Sequence, residues 1–129
     1  MKIKYWLFSI GLMSSGLMSA CRLGHGDTNI VSGTANDTYY FTATYHEELT
    51  EDVEQYINQQ VKPTNIFTPE NHAQGMTVVL EDHTTFHIKS ENGKLDIEMN
   101  KTNNSKNSYQ RLVKLCDGVR NFILNQRKN

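Results

Sequence analysis

The sequence predicts an α+β domain of order β-α-β-β-β-α, in which an antiparallel sheet carries two helices packed on one face. Three observations lead there. Aromatic and small residues alternate through "TYYFTATYH", residues 38 to 46. An Asn92-Gly93 pair joins two alternating segments, and apolar residues recur at helical spacing before Pro63 and again in the last twenty residues or so. A chain of 129 residues holds one small domain.

The first element follows from the period of two. Tyr39, Phe41, Ala43 and Tyr45 share one side of a strand, and Tyr40, Thr42, Thr44 and His46 the other. Next, Leu49, Val53, Tyr56, Ile57, Gln60 and Val61 recur at helical spacing. Thr50 suits an N-cap, Glu51 and Asp52 suit the positive end of the helix dipole, and Pro63 ends the run. Residues 63 to 75, "PTNIFTPENHAQG", form a loop long for so small a domain and thus a candidate functional segment. Its Ile66 and Phe67 either pin it to the core or offer an exposed contact.

A three-strand meander comes next. Asn-Gly is the strongest short hairpin signal, because a type I′ turn needs positive φ at both central residues. With Asn92-Gly93 as the turn, Glu91 faces Lys94, Lys89 faces Asp96, Ile88 faces Ile97, His87 faces Glu98 and Phe86 faces Met99. The pairs sort into an apolar face and a face of complementary charge. Met76, Val78 and Leu80 extend the apolar face if Asp82, His83 and Thr84 form a loop. The last helix begins with Ser108 as its cap and buries Tyr109, Leu112, Val113, Cys116, Val119, Phe122 and Ile123. Gly118 inside it costs up to about 1 kcal/mol relative to alanine, which suggests close approach of a neighbouring backbone.

The start of the chain carries an address. Lys2 and Lys4 precede an apolar stretch from Tyr5 that is broken by Ser14, Ser15 and Gly16. A spanning helix needs roughly 20 uninterrupted apolar residues, so a secretory signal fits better. Met18-Ser19-Ala20-Cys21 resembles the lipobox of bacterial lipoprotein precursors, with Met18 where that class prefers leucine. The resemblance implies cleavage between Ala20 and Cys21 and lipid attachment, including palmitate, on Cys21. An ordinary signal-peptidase site after Ala20 is the alternative, and Met18 is large for it. Two or more acyl chains anchor a protein stably without a spanning helix. Arg22 stands where an aspartate would favour the inner membrane, so the resemblance implies the outer membrane, facing the periplasm, for a Gram-negative source.

The domain organisation expected is a signal peptide over 1–20, a flexible tether over 21–37 and one α+β domain over 38–129. If Cys21 carries lipid it forms no disulfide, and Cys116 is a lone buried thiol.

Few residues suggest chemistry. His83 and His87, in "HTTFH", would sit about 13 Å apart on a strand, too far for one metal, and His87 reads as the partner of Glu98. Glu47, Glu48, Glu51, Asp52 and Glu54 cluster at a helix start, and nothing in the sequence isolates one in an apolar pocket. A Gly-rich phosphate loop, Gly-x-Ser-x-Gly, Cys-x-x-Cys and a nucleotide fingerprint are all missing. No catalytic, cofactor-binding or metal-ligating residue is therefore nominated. Charge divides unevenly: residues 21–100 hold 4 basic and 13 acidic side chains, and residues 101–129 hold 7 basic against Asp117 alone. The two regions either neutralise each other in the fold or leave a basic face for anionic lipid or an acidic envelope protein. Nucleic acid is not an expected partner outside the cytoplasm. The expectation is a non-catalytic, membrane-tethered envelope lipoprotein that binds or helps assemble an envelope complex. The alternative is a periplasmic inhibitor or immunity lipoprotein against a toxic or lytic enzyme.

Overall fold

The computed structural model describes residues 28–70 and 75–127. One antiparallel sheet contains β1 (Asn29–Ala35), β2 (Thr38–Thr44), β3 (Met76–Val79), β4 (Thr85–Glu91) and β5 (Lys94–Asn100), in the spatial order β1-β2-β5-β4-β3. Helix α1 (Thr50–Gln60) follows β2, and helix α2 (Lys106–Arg127) follows β5. The expected α+β class with two helices is what the chain forms, with one strand more than its pattern announced.

The core lies between the sheet and the helices. Phe41, Ala43, Ile88, Leu95 and Ile97 from the sheet join Val53 and Ile57 of α1 and Leu112, Cys116, Val119 and Ile123 of α2 in one buried cluster. Leu115 is buried too, although it fell outside the expected stripe. The hairpin register matches expectation, with His87 opposite Glu98, Ile88 opposite Ile97, Lys89 opposite Asp96 and Glu91 opposite Lys94. Only Gly93 of the turn pair has positive φ, at 75°, so the turn is not type I′. A Cβ on Gly93 would lie 2.7 Å from the Tyr45 carbonyl oxygen. That turn is clamped on both sides: Gly93 C=O accepts from Tyr45 N–H (2.9 Å), and Gly93 N–H donates to Thr50 Oγ1 (2.8 Å).

Strand β1 corrects the tether boundary, because residues 29 to 35 are paired along their whole length with β2. The alternation rule missed it for a physical reason. An outer strand with both faces largely open has no need of alternating polarity, and its backbone bonds leave no mark in the sequence. Its turn to β2 is Asn36-Asp37, with Asn36 at φ 56°, a conformation that asparagine tolerates better than most residues.

Both helix caps differ from expectation. A 3-10 turn over Glu47–Leu49 precedes α1, so Thr50 is not the cap; its hydroxyl donates to Glu47 C=O (2.7 Å) and holds the Gly93 turn. Helix α2 starts earlier, and the Ser105 hydroxyl accepts from Ser108 N–H (3.0 Å). The Ser108 side chain is buried instead and accepts from Thr84 Oγ1 (2.9 Å). Gly118 faces the Tyr56 hydroxyl rather than a backbone, and Tyr56 stacks on Phe122 with ring centroids 4.9 Å apart. The β3–β4 loop is Glu81-Asp82-His83, one residue earlier than expected, because Leu80 N–H bonds Thr84 C=O (2.9 Å) and His83 has φ 72°.

The polar run before α2 is structured. Asn104 acts as an extra rung beyond β5: its Oδ1 accepts from Thr85 N–H (2.9 Å), and its Nδ2 donates to the carbonyls of Thr85 (3.0 Å) and Asn100 (2.8 Å).

Candidate functional site

Cys21 and Ala20, on which lipid attachment and signal cleavage are expected, lie outside the described residues. Among the described residues no helix is long and apolar enough to cross a membrane.

The 63–75 loop takes the core-anchored form over its described part. Ile66 and Phe67 are buried. Asn58 of α1 holds them there: its Oδ1 accepts from the N–H groups of Ile66 and Phe67 (3.0 Å each), and its Nδ2 donates to Phe67 C=O (2.8 Å). One side-chain amide thus satisfies three backbone groups in a segment that has no ladder of its own.

Glu54 is the acidic residue that sequence reasoning placed wrongly. It does not belong to the solvated cluster at the helix start; only 5% of its surface is exposed. On α1 it lies one turn beyond Thr50 and one residue after buried Val53, so it shares the inward stripe. That spacing was the signal available. Ser90, fully buried on the inner face of β4, donates to Glu54 Oε2 at 2.6 Å, a charge-assisted bond that ties the helix to the sheet. The Tyr45 hydroxyl is buried beside this pair, and burial followed by the Glu54 charge pushes its phenol well above the ordinary value. A nucleophilic serine has to meet its substrate, and Ser90 is sealed by the core. Glu54 reaches only the wall of an open cleft of about 400 Å³ that it shares with Glu51, Gln55, Asn58 and Phe67. The geometry makes this group a helix-to-sheet fastener.

Cys116 is fully buried, and burial pushes its thiol up to about 12. A thiol so disposed lacks the lowered pKa and the exposure that mark a reactive cysteine.

On the outer sheet face, His87 stands opposite Glu98, as expected. Thr42 donates to Asp96 (2.9 Å), Lys89 approaches Glu91 (3.4 Å) and Lys94 approaches Asp96 (3.9 Å). His83 projects from the left-handed turn position before β4, and no cluster of three metal-binding side chains forms among the described residues. The basic C-terminal segment is partly used inside the domain. Arg111 pairs with Asp82 (2.8 Å) and Glu81 (3.4 Å), Arg120 pairs with Asp117 (3.1 Å), and Lys101 lies 4.6 Å from the Tyr109 ring centroid. Lys106 and Lys114 remain exposed on α2.

The outer strands differ from each other. β3 offers four residues, whereas β1 offers seven in unbroken register, "NIVSGTA", with no charge and no proline. Val31 on it is 46% exposed. Beside it, Gly33 lets the Tyr40 side chain from β2 fold across the strand, with the Tyr40 hydroxyl 3.0 Å from where a Cβ would be. Proteins usually blunt such an edge with lysine, proline or a bulge, and β1 carries none of these over its length.

No protein-family model matches the chain, and the searches of curated proteins and of solved structures likewise give no match.

Proposed function

We propose that this chain is a membrane-tethered lipoprotein of the bacterial envelope whose domain binds, or helps assemble, an envelope protein complex on the periplasmic side of the outer membrane, without catalysing a reaction. The observation that carries the reading is Met18-Ser19-Ala20-Cys21 at the end of a short apolar run. Cys21 stands eight residues before Asn29, where β1 begins. Fully extended, those residues span roughly 29 Å, so a lipid on Cys21 would hold the sheet close to the bilayer. Two further features favour binding over turnover. Among the described residues the most buried carboxylate and serine bond each other within the core, and β1 is a seven-residue outer strand without charge or proline.

Affinity capture of the full chain from detergent-solubilised membranes tests this. An envelope protein should be recovered with the wild-type chain and lost when Cys21→Ser releases it from the membrane. Recovery of no envelope protein, together with substrate turnover by the purified chain, would overturn the proposal.

A further inference from the structure

We infer that β1 pairs antiparallel with the β1 of a second copy of this chain, across a two-fold axis at Ser32, joining two sheets into one of ten strands. Only the closeness of the copies along one membrane rests on the lipid anchor; the edge stands on its own geometry.

The strand is self-complementary in this register. Ser32 faces Ser32, so Val31 of each copy comes opposite Gly33 of the other, on the outer face. Val31 is the exposed knob. Gly33 has no side chain of its own, and the Tyr40 ring and hydroxyl lie over its Cβ position, so Val31 of the other copy packs against the Tyr40 side chain there. Two-fold symmetry makes the contact twice, as an isologous interface requires. On the inner face, Ile30 comes opposite Thr34, and Ile30 already leans on the core.

Charge agrees with the shape. Arg120 of α2 reaches the edge, donating from Nη2 to Ser32 Oγ (3.0 Å) while Nη1 holds Asp117 (3.1 Å). At the axis each Arg120–Asp117 pair meets its symmetry mate, so each guanidinium can also face the opposite carboxylate. The strand between them has no charge to repel its copy.

The tether permits the geometry. In an antiparallel pair the two Asn29 ends lie about 20–24 Å apart, at about 3.4 Å per residue. A reach of roughly 29 Å from each Cys21 lets both lipids enter one bilayer while β1 lies along its surface.

Directly opposed antiparallel residues have Cα atoms about 4.5–5.5 Å apart, within the span of a disulfide. The test is therefore cysteine scanning in the full chain, in the membranes of the cells that make it, in a Cys116→Ala background. After mild oxidation, Ser32→Cys should give a disulfide-linked dimer on a non-reducing gel, at least tenfold more than Ile30→Cys, Thr34→Cys or Asn125→Cys. Adding Val31→Lys should reduce the Ser32→Cys dimer at least fivefold, while circular dichroism of the purified chain shows the fold kept. Equal, weak cross-linking at all four positions would overturn the inference, as would a Ser32→Cys yield indifferent to Val31→Lys. A dimer in the Cys116→Ala parent would be linked through Cys21; it would count against the lipid anchor and leave the edge to be judged from the increment at position 32.

Discussion

Asn58→Ala removes the amide that holds the segment after Pro63. Three hydrogen bonds go, to Ile66 N–H, Phe67 N–H and Phe67 C=O. Each contributes about 0.5–1.5 kcal/mol net, and the site is partly open to water, so the loss comes to about 2–3 kcal/mol. The apolar anchors act in the other direction. Burying Ile66 and Phe67 is worth about 1.5–3 kcal/mol each, more together than the bonds removed. The segment should therefore stay docked in the variant but open far more often. Urea unfolding should show a stability loss of about 2–3 kcal/mol. Amide exchange at Ile66 and Phe67 should quicken roughly 30- to 150-fold, at 1.4 kcal/mol for each factor of ten. Asn58→Asp, which keeps the acceptor and loses the donor, should fall between the two. A loss below about 0.5 kcal/mol, with exchange at Ile66 and Phe67 unchanged, would refute the assignment of Asn58 as the fastener.

Gly93→Ala should destabilise the domain by about 1–3 kcal/mol, the range for a residue held in a disfavoured backbone conformation, because the new Cβ meets the Tyr45 carbonyl at φ 75°; a stabilised variant in thermal unfolding would contradict this. Cys116, raised to about 12, should resist alkylation in the native protein and react fully in urea; rapid native labelling would show that the thiol is not sealed. Hydrogen bonds from Thr84, and then Arg111, hold the Asp82 carboxyl down at about 2. A carboxyl lowered from an unfolded value near 3.9 adds stability above about pH 4 that is lost as pH falls through 2. The pair is half exposed, so screening keeps this below about 1 kcal/mol. Asp82→Asn should then be less stable than the parent at pH 6, with the difference shrinking steadily as pH is lowered to 2; a difference unchanged between pH 6 and pH 2 would refute the pairing.

Residues that alternate or recur did most to reveal the fold before any coordinates. The β4–β5 register was legible because Asn92-Gly93 fixes the turn, and a slip of one would turn Ile88 and Ile97 outward. The single-faced helices were legible from Val53 and Ile57 and from Leu112, Cys116 and Val119. Strand β1 was not, since an outer strand buries little and pairs through its backbone. Glu54 was misplaced because local charge outweighed its position on the inward stripe, and its partner Ser90 lies on a strand 36 residues away. The caps went astray for a similar reason. Thr50 and Ser108 are good cap residues that the tertiary structure uses elsewhere, to hold Gly93 and to meet Thr84. Composition read Asn104 as loop, whereas its side chain continues the sheet.

The intact mass of the protein extracted from membranes tests the central claim most directly. A lipoprotein should give a chain beginning at Cys21, heavier than its peptide mass by a diacylglyceryl group and an N-linked acyl chain. The addition should vanish in Cys21→Ser. A mature chain with an unmodified Cys21 thiol, or with Cys21 and Cys116 joined as a disulfide, would contradict the account.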